Sequence, residues 1–294
     1  KIIIKMILEE KNSHERDKHI RFEEEGHIYT IKGDTTHIST TTWVKTFFEE
    51  FNSDLIIEKM MNSNNWKNNK YYGKSKEDIK NEWSTQGKLA SELGTKLHQD
   101  IENFYNGLDV DNNSLEFSYF KNFHQDNTDL TPFRTEWYVW DEELKICGSI
   151  DMIFQNSKGE LIIYDWKRCK EIKKTNNWGK TATEKNISHI VDTNFWHYAS
   201  QLNIYKAILE KNYGYKVPEL YIVCLHPNNN NNNYQRYKIP DLQEEVEKLF
   251  SDRFEEINSI EVEEKEKDGI IYLVDINNNI YSEEGEIVGI WSDV

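Results

Sequence analysis

The stretch from Gly148 to Lys167 constrains the fold more than any other part of the sequence. It consists of two segments, G-S-I-D-M-I-F and L-I-I-Y-D-W-K, whose β-branched and aromatic content is typical of strands. The polar break between them, from Gln155 to Gly159, has the composition of a hairpin turn. Because side chains alternate between the two faces of a strand, Asp165 and Lys167 lie on the same face of the second segment.

Pairing of these two strands would bring Asp151 beside Asp165 and place Lys167 one step further along the same face. Burying two acids and a lysine in an apolar hairpin is costly, so their presence indicates a site with a chemical purpose. Two carboxylates can bind a hard divalent cation. An adjacent ammonium group can stabilise a hydroxide nucleophile or a phosphate oxygen. The hairpin therefore predicts cleavage of phosphodiester bonds.

The net charge of −16 argues against a nucleic-acid partner until its distribution is considered. Residues 241–294 contain 17 acidic and 4 basic residues, so the other 240 residues together carry only −3. Residues 164–185 contain 7 basic and 3 acidic residues, directly after the Asp–Lys strand. This basic patch can attract phosphates, and the alternative is a solvated loop. Three of its lysines are predicted to contact nucleic acid: Lys170, Lys173 and Lys174.

The cysteine content excludes several classes of protein. Cys147, Cys169 and Cys224 are odd in number, widely spaced and without a CxxC pair, which argues against a zinc ribbon or a secreted disulfide scaffold. A reducing intracellular compartment is the expectation. The chain has no apolar run of about 18 residues, so no membrane span is expected. The apolar Lys1–Leu8 is short and has no small-residue cleavage site, which favours a strand over a signal peptide.

Helical patterns flank the hairpin on both sides. Residues 82–106 form the longest of them, and His98 and Glu102 are four residues apart at the edge of its apolar face. A lone histidine at such an edge is also compatible with a purely structural role. The apolar positions of this helix are expected to be buried: Leu93, Leu97, Ile101 and Phe104.

A second helix is predicted after Asp192, and in it Gln201 and Tyr205 are neighbours four residues apart. Tyr205 is equally compatible with a plain core position. Between the helices, residues 133–140 form a strand that contains Glu136. The connection 170–191 is either a functional loop over the site or a disordered insertion.

Four motifs, in order, resemble those of the PD-(D/E)XK nuclease superfamily in its RecB-like exonuclease branch. Gly94–His98 with Glu102 resembles the helical G-x-x-x-H-x-x-x-E motif, and Gly148–Asp151 resembles G-x-x-D. Asp165–Lys167 resembles (D/E)-x-K, and Gln201–Tyr205 resembles Q-x-x-x-Y. Each motif is weak alone, but the four together on the expected elements are specific. They cover roughly the middle half of the chain.

The resemblance implies a metal site and assigns its ligands. His98, Asp151 and Asp165 would bind the metal together with the backbone carbonyl of Trp166, and Lys167 would position or activate the attacking water. The expected cation is Mg²⁺ or Mn²⁺, and the imidazole ligand tilts the choice toward Mn²⁺. The iron–sulfur cluster of some members is not expected, because the sequence lacks the four cysteines.

The resemblance also implies supporting roles. Gln201 and Tyr205 would orient the substrate strand or the active site, and Glu102 and Glu136 are candidate supporting acids. No G-x-x-x-x-G-K-[ST] phosphate loop is present in the sequence, so the chain would be a stand-alone nuclease or a subunit of a larger assembly.

The predicted fold is α/β, with a restriction-endonuclease-like core in which helices flank a mixed, mainly antiparallel sheet in the order α-β-β-β-α-β. We divide the chain into an N-terminal strand and helical region (1–80), the nuclease core (81–258), and an acidic linker with a C-terminal β-hairpin (259–294). Residues 1–25 are of mixed composition and are expected to be partly mobile.

Four functions follow from these expectations. The first is a metal-dependent nuclease, specifically a DNA exonuclease acting on ends or single strands, with no membrane partner. The second is an endonuclease for RNA or for structured DNA on the same fold. The third is a catalytically inactive protein that binds nucleic acid or acts as a scaffold. The fourth is a structural protein whose acidic C-terminal region docks a protein partner.

Overall fold

Seven α-helices and twelve β-strands are found in residues 7–282 and 285–292, the part of the chain that the computed structural model describes. The helices are α1 (Leu8–Lys11), α2 (Thr40–Thr46), α3 (Ser53–Met61), α4 (Lys76–Tyr105), α5 (Leu115–Asp126), α6 (Asn194–Asn212) and α7 (Gln243–Asn258). The strands are β1 (Ile20–Glu23), β2 (Ile28–Ile31), β3 (Ile38–Ser39), β4 (Thr131–Asp141), β5 (Ile146–Gln155), β6 (Leu161–Lys167), β7 (Glu219–Cys224), β8 (Gln235–Lys238), β9 (Glu263–Lys267), β10 (Ile270–Val274), β11 (Asn279–Tyr281) and β12 (Ile287–Ile290).

The chain divides into two compact units, one ending at Glu247 and the other beginning at Lys248. The first unit contains a six-stranded sheet and the two-stranded sheet β1-β2, and the second contains the antiparallel sheet β12-β11-β10-β9. The predicted class, a mixed α/β fold with mainly antiparallel sheets, is confirmed. Among the described residues, no helix combines the length and the apolar character needed to cross a membrane.

Strand β5 is the centre of the six-stranded sheet. It pairs antiparallel with β4 along one edge, and its other edge is shared by β6 and β3. Strand β6 then pairs in parallel with β7, and α6 makes the crossover that a parallel connection requires. Strand β8 returns antiparallel to β7 and completes the sheet.

The pairing of β5 with β6 runs from Gln155–Leu161 to Met152–Tyr164, whereas β6 stays paired with β7 as far as Lys167. The two strands therefore separate just beyond Met152 and Tyr164, and we call this point the fork. Continuing the register by one residue places Asp151 opposite Asp165 at the fork, as the alternation of the sequence predicts.

An aromatic core fixes the helices that carry the first motif against this sheet. Leu97 and Ile101 of α4 belong to one buried cluster with phenylalanines of α5 and with Tyr164 and Trp166 of β6. Alternation along β6 puts Asp165 and Lys167 on the other face. The helix begins at Lys76, earlier than the predicted residue 82, and a capping box marks this start. The Ser75 hydroxyl accepts a hydrogen bond from the amide of Asp78, and the Asp78 carboxylate accepts one from the amide of Ser75.

Several sequence predictions differ from this arrangement. The domain boundary expected after residue 80 falls inside α4, and the charged linker expected at 261–268 contains β9. The C-terminal sheet has four strands, β9 to β12, instead of the two of the predicted hairpin. Leu93 is 40% exposed, because the middle of α4, residues 84–93, is exposed on all sides. The N-terminal strand expected at 1–8 lies largely on residues 1–6, outside the described residues, and α1 begins at Leu8.

The segment before β1, expected to be partly mobile, is anchored to the sheet. Asp17 accepts hydrogen bonds from Arg134 Nη1 (2.7 Å) and from Trp137 Nε1 (2.8 Å). The Arg16 guanidinium lies 3.6 Å from the centre of the Trp140 ring, a cation–π contact. These side chains bind the segment to β4 even though its own sequence has no regular period.

Candidate metal centre

The residues of the first three motifs meet at the fork, although they come from three different elements. His98 comes from α4, Asp151 from β5, and Asp165 and Lys167 from β6. Trp166 connects them through its backbone. Its N–H donates to Asp151 Oδ2 (2.9 Å), and its carbonyl oxygen lies 2.8 Å from His98 Nε2. Side chains of two other elements thus satisfy the backbone groups of Trp166 at the point where β6 leaves β5.

His98 is surrounded by negative charge. Its Nδ1 lies 3.5 Å from Asp151 Oδ2 and 3.7 Å from Glu136 Oε1. Burial alone would lower the pKa of His98, but the charges of Asp151 and Glu136 outweigh it and raise the pKa to about 9. Without a bound cation, His98 is therefore protonated at neutral pH and donates to the Trp166 carbonyl.

Glu136 lies opposite Asp151 on β4, because Thr135 pairs with Met152 and Trp137 pairs with Ile150. Its φ of 42° is in the left-handed region that residues other than glycine rarely adopt. The Ser149 hydroxyl donates to Glu136 Oε2 at 2.7 Å and helps to hold the carboxylate in this position. Strain of this kind is frequently found at functional sites.

Three side chains at the fork offer ligand atoms close enough to share one cation. One atom each of His98, Glu136 and Asp151 lies within 4.8 Å of the others, and this is the group found among the described residues. Two carboxylates and one imidazole are a donor set of the kind that Mg²⁺ and Mn²⁺ bind, and the Trp166 carbonyl, the other predicted ligand, lies 2.8 Å from His98 Nε2. Glu136, predicted only as a supporting acid, belongs to this group, whereas the predicted ligand Asp165 does not.

Asp165 instead pairs with Lys167, whose Nζ lies 2.7 Å from Asp165 Oδ2. Burial raises the pKa of Asp165 to about 6, although the ammonium of Lys167 opposes the shift. Burial would lower the pKa of Lys167, but Asp165 and Asp151 keep it above its usual value, so this side chain stays charged at neutral pH. The ammonium also lies 4.8 Å from the centre of the Tyr198 ring of α6.

Glu102 lies one helical turn after His98 and is half-buried. Burial and the charge of Glu136 raise the pKa of its carboxyl group. It is not part of the group that could share a cation, so its predicted role as a supporting acid stays a prediction.

Gln201 and Tyr205 are both buried in α6, and the Gln201 amide donates to the Tyr205 hydroxyl at 3.3 Å. The Tyr205 ring packs on Gly148, where a Cβ atom would lie 2.6 Å from the hydroxyl oxygen. Of the two predicted roles, this placement favours orienting the site over touching a substrate strand, because Tyr205 holds β5 three residues before Asp151.

The lysines predicted to contact nucleic acid lie on the loop that follows β6. Lys170, Lys173 and Lys174 are all exposed. Lys173 and Lys174 line an open groove of about 650 Å³ together with Trp178, whose side chain is 85% exposed. The loop is packed and is not the disordered insertion of the second alternative, since four of its apolar side chains are buried: Ile172, Ala182, Ile187 and Ile190.

Sequence reasoning missed the roles of two residues at the fork. Strand alternation places Ser149 on the same face as Asp151, but the sequence does not show that Ser149 donates a hydrogen bond to Glu136. Tyr198 lies at helical spacing from Gln201 and Tyr205, and this period is the signal that could have identified it.

Gly148→Ala is expected to lower the free energy of unfolding by about 1–3 kcal/mol, because the new methyl group overlaps the Tyr205 hydroxyl. Gly94→Ala is the matched control, since nothing lies within 4 Å of its Cβ position, and this helical change should add about 0.5–1 kcal/mol. Chemical denaturation measures both. Combining Gly148→Ala with Tyr205→Phe should recover part of the loss, and strictly additive effects would contradict the packing described.

His98 is expected to titrate near pH 9 in protein treated with a chelator, and Glu136→Gln should lower its pKa by removing a negative charge. The raised folded-state pKa stabilises the fold below about pH 6.5, and this contribution is lost as the pH rises through 9. NMR of the imidazole ring protons against pH measures the titration. Glu143→Gln, at an exposed position in the turn between β4 and β5, is the control. An equal shift in both variants would argue against a specific contact with Glu136.

Comparison with known proteins does not assign the chain to a family. No family model matches it, and no curated protein matches it. Among solved structures, one described as "Crystal structure of SSO0001" matches 85% of this chain and 82% of that chain, at 14% sequence identity and a TM-score of 0.30. A likeness at this TM-score carries no argument about fold or function.

Proposed function

We propose that the protein is a metal-dependent nuclease of the PD-(D/E)XK superfamily, in its RecB-like branch, that hydrolyses phosphodiester bonds as a DNA exonuclease on ends or single strands. The observation that carries the proposal is the convergence of His98, Asp151, Asp165 and Lys167 at the fork. These residues are up to 69 positions apart in the sequence. Their meeting around the backbone of Trp166 is what the motif resemblance implies.

The order of elements supports the same proposal. Helices α4 and α5 precede the three antiparallel strands β4, β5 and β6, and α6 then crosses to the parallel strand β7. With α4 counted as the first helix and α5 as an addition, these elements are compatible with the α-β-β-β-α-β order predicted for a restriction-endonuclease-like core.

The side chains at the fork divide the chemical work. His98, Glu136 and Asp151 would hold the cation with the Trp166 carbonyl. When bound, such a cation lowers the pKa of water and neutralises charge on the scissile phosphate. Lys167 stays protonated, so we assign it the stabilisation of an anionic oxygen rather than the role of a general base. Asp165 holds the ammonium in place through the 2.7 Å ion pair.

The basic loop is the proposed path of the nucleic acid. Its exposed lysines can contact phosphates, and the exposed ring of Trp178 can stack on a base. Stacking of this kind needs unpaired bases, which favours single strands or frayed ends over intact duplex. RNA or structured DNA as substrate, and an inactive binding protein, are the alternatives that the following experiments separate.

Lys167→Ala is expected to reduce cleavage about 100-fold or more, because the charge next to the leaving or attacking oxygen is lost. The assay uses single- and double-stranded DNA and RNA labelled at one end, with Mg²⁺, Mn²⁺ or a chelator. Lys158→Ala, at an exposed position in the β5–β6 turn, is the matched control and should retain the full rate. The label released gives the polarity and separates an exonuclease from an endonuclease. Cleavage that survives in Lys167→Ala would place the site elsewhere.

Mn²⁺ is expected to stabilise the wild-type protein against heat and to leave Asp151→Ala unchanged, because this variant loses a central ligand. A cation at about 100 times its Kd adds about 2.7 kcal/mol to the free energy of unfolding. Asp129→Ala, at an exposed position after α5, is the control and should respond like the wild type. Equal stabilisation of all three proteins would mean that the cation binds at another site.

A further inference from the structure

Cys169 and Cys224 lie together beside the fork, although they are 55 residues apart in the sequence. Their Sγ atoms are 3.9 Å apart, and Cys224 Sγ donates to the backbone carbonyl of Cys169 at 3.1 Å. Disulfide bonds have an S–S length of about 2.05 Å, so an approach of about 2 Å would join the two sulfurs. Both cysteines are in the free thiol form here.

The two thiols differ in ways that suit a reacting pair. Cys169 is half-buried on the loop after β6, whereas Cys224 is fully buried at the end of β7. The thiol of Cys224 and the nearby ammonium of Lys167 lower the pKa of Cys169, despite the opposing effect of burial. Cys147, buried in β5, has its pKa raised to about 12 by burial and is the inert thiol of the chain.

The pair is connected to the proposed catalytic lysine through the backbone. Cys224 is the partner of Lys167 in the β6–β7 ladder, and the amide of Leu225 donates to the carbonyl of Lys167 at 2.8 Å. Cys169 follows Lys167 by two residues. A covalent bond between the sulfurs would therefore tie together the two strand ends that position the Lys167 side chain.

We propose that Cys169 and Cys224 form a reversible disulfide under oxidising conditions and that this bond switches off the site at the fork by displacing Lys167. The effect on cleavage rests on the proposed nuclease function, whereas formation of the bond does not.

Hydrogen peroxide is the oxidant we name for this step. The Cys169 thiolate attacks one peroxide oxygen, the O–O bond breaks, and the hydroxide that leaves takes up a proton to become water. The Cys224 sulfur then attacks the resulting sulfenic acid, the S–O bond breaks, and a second water leaves with the Cys224 proton. The two sulfurs lose two electrons in total, and the two peroxide oxygens gain them. A dithiol restores the two thiols by thiol–disulfide exchange and is itself oxidised to a disulfide.

The first test is the bond itself, measured by peptide mapping of the full chain after peroxide treatment and alkylation of the remaining thiols. A crosslinked peptide joining Cys169 and Cys224 is expected in the wild type and in Cys147→Ser, and a dithiol should remove it. Cys169→Ser and Cys224→Ser should lack it. Absence of the crosslink in oxidised wild type would overturn the proposal.

The second test measures the rate of metal-dependent cleavage. Oxidation should reduce the rate of the wild type about tenfold or more, because the disulfide displaces Lys167. Reduction should restore the rate, and Cys169→Ser should keep its rate in peroxide. Equal losses in wild type and Cys169→Ser, or no loss in crosslinked wild type, would overturn the link to Lys167. Protein that never cleaves when reduced would refute the nuclease function and leave the crosslink as a separate result.

Discussion

The fork between β5 and β6 is the constraint on which the rest of the site depends. A strand that leaves its neighbour exposes backbone groups that must find other partners. At Trp166 those partners are the side chains of Asp151 and His98. The same event therefore draws a carboxylate from β5 and an imidazole from α4 to one point. The same two side chains thus satisfy the backbone groups of Trp166 and belong to the candidate metal-binding group.

The charge balance at the fork favours function over stability. Burial raises the pKa of Asp165 to about 6, so the stability that its neutral form supplies is present at low pH and is lost as the pH rises through 6. Burial also raises the pKa of Asp151, and the positive charges of His98 and Lys167 oppose this shift. A divalent cation held by His98, Glu136 and Asp151 would add further positive charge beside these carboxylates.

Local pattern was enough to predict part of this site. Alternation along two strands predicted the meeting of Asp151 and Asp165, and the helical period placed His98 at the edge of a buried face. The ligand role of Glu136 depends on the β4–β5 register and on its positive φ, and neither leaves a trace in the residues around it. The anchoring of Asp17 was equally invisible, because its partners lie more than 100 residues away.

Helix α4 has a mechanical consequence. Its 30 residues span about 45 Å. Its first turns pack in a small cluster with Ile57 and Tyr71 through Ile79, and its last turns carry His98. The residues between them, 84–93, are exposed to solvent. Tertiary packing supplies most of the stability of a helix in a protein, so α4 is least stable in its exposed middle. A bend at residues 84–93 would therefore change the direction of the first half of α4 while the contact of His98 with Trp166 stays in place.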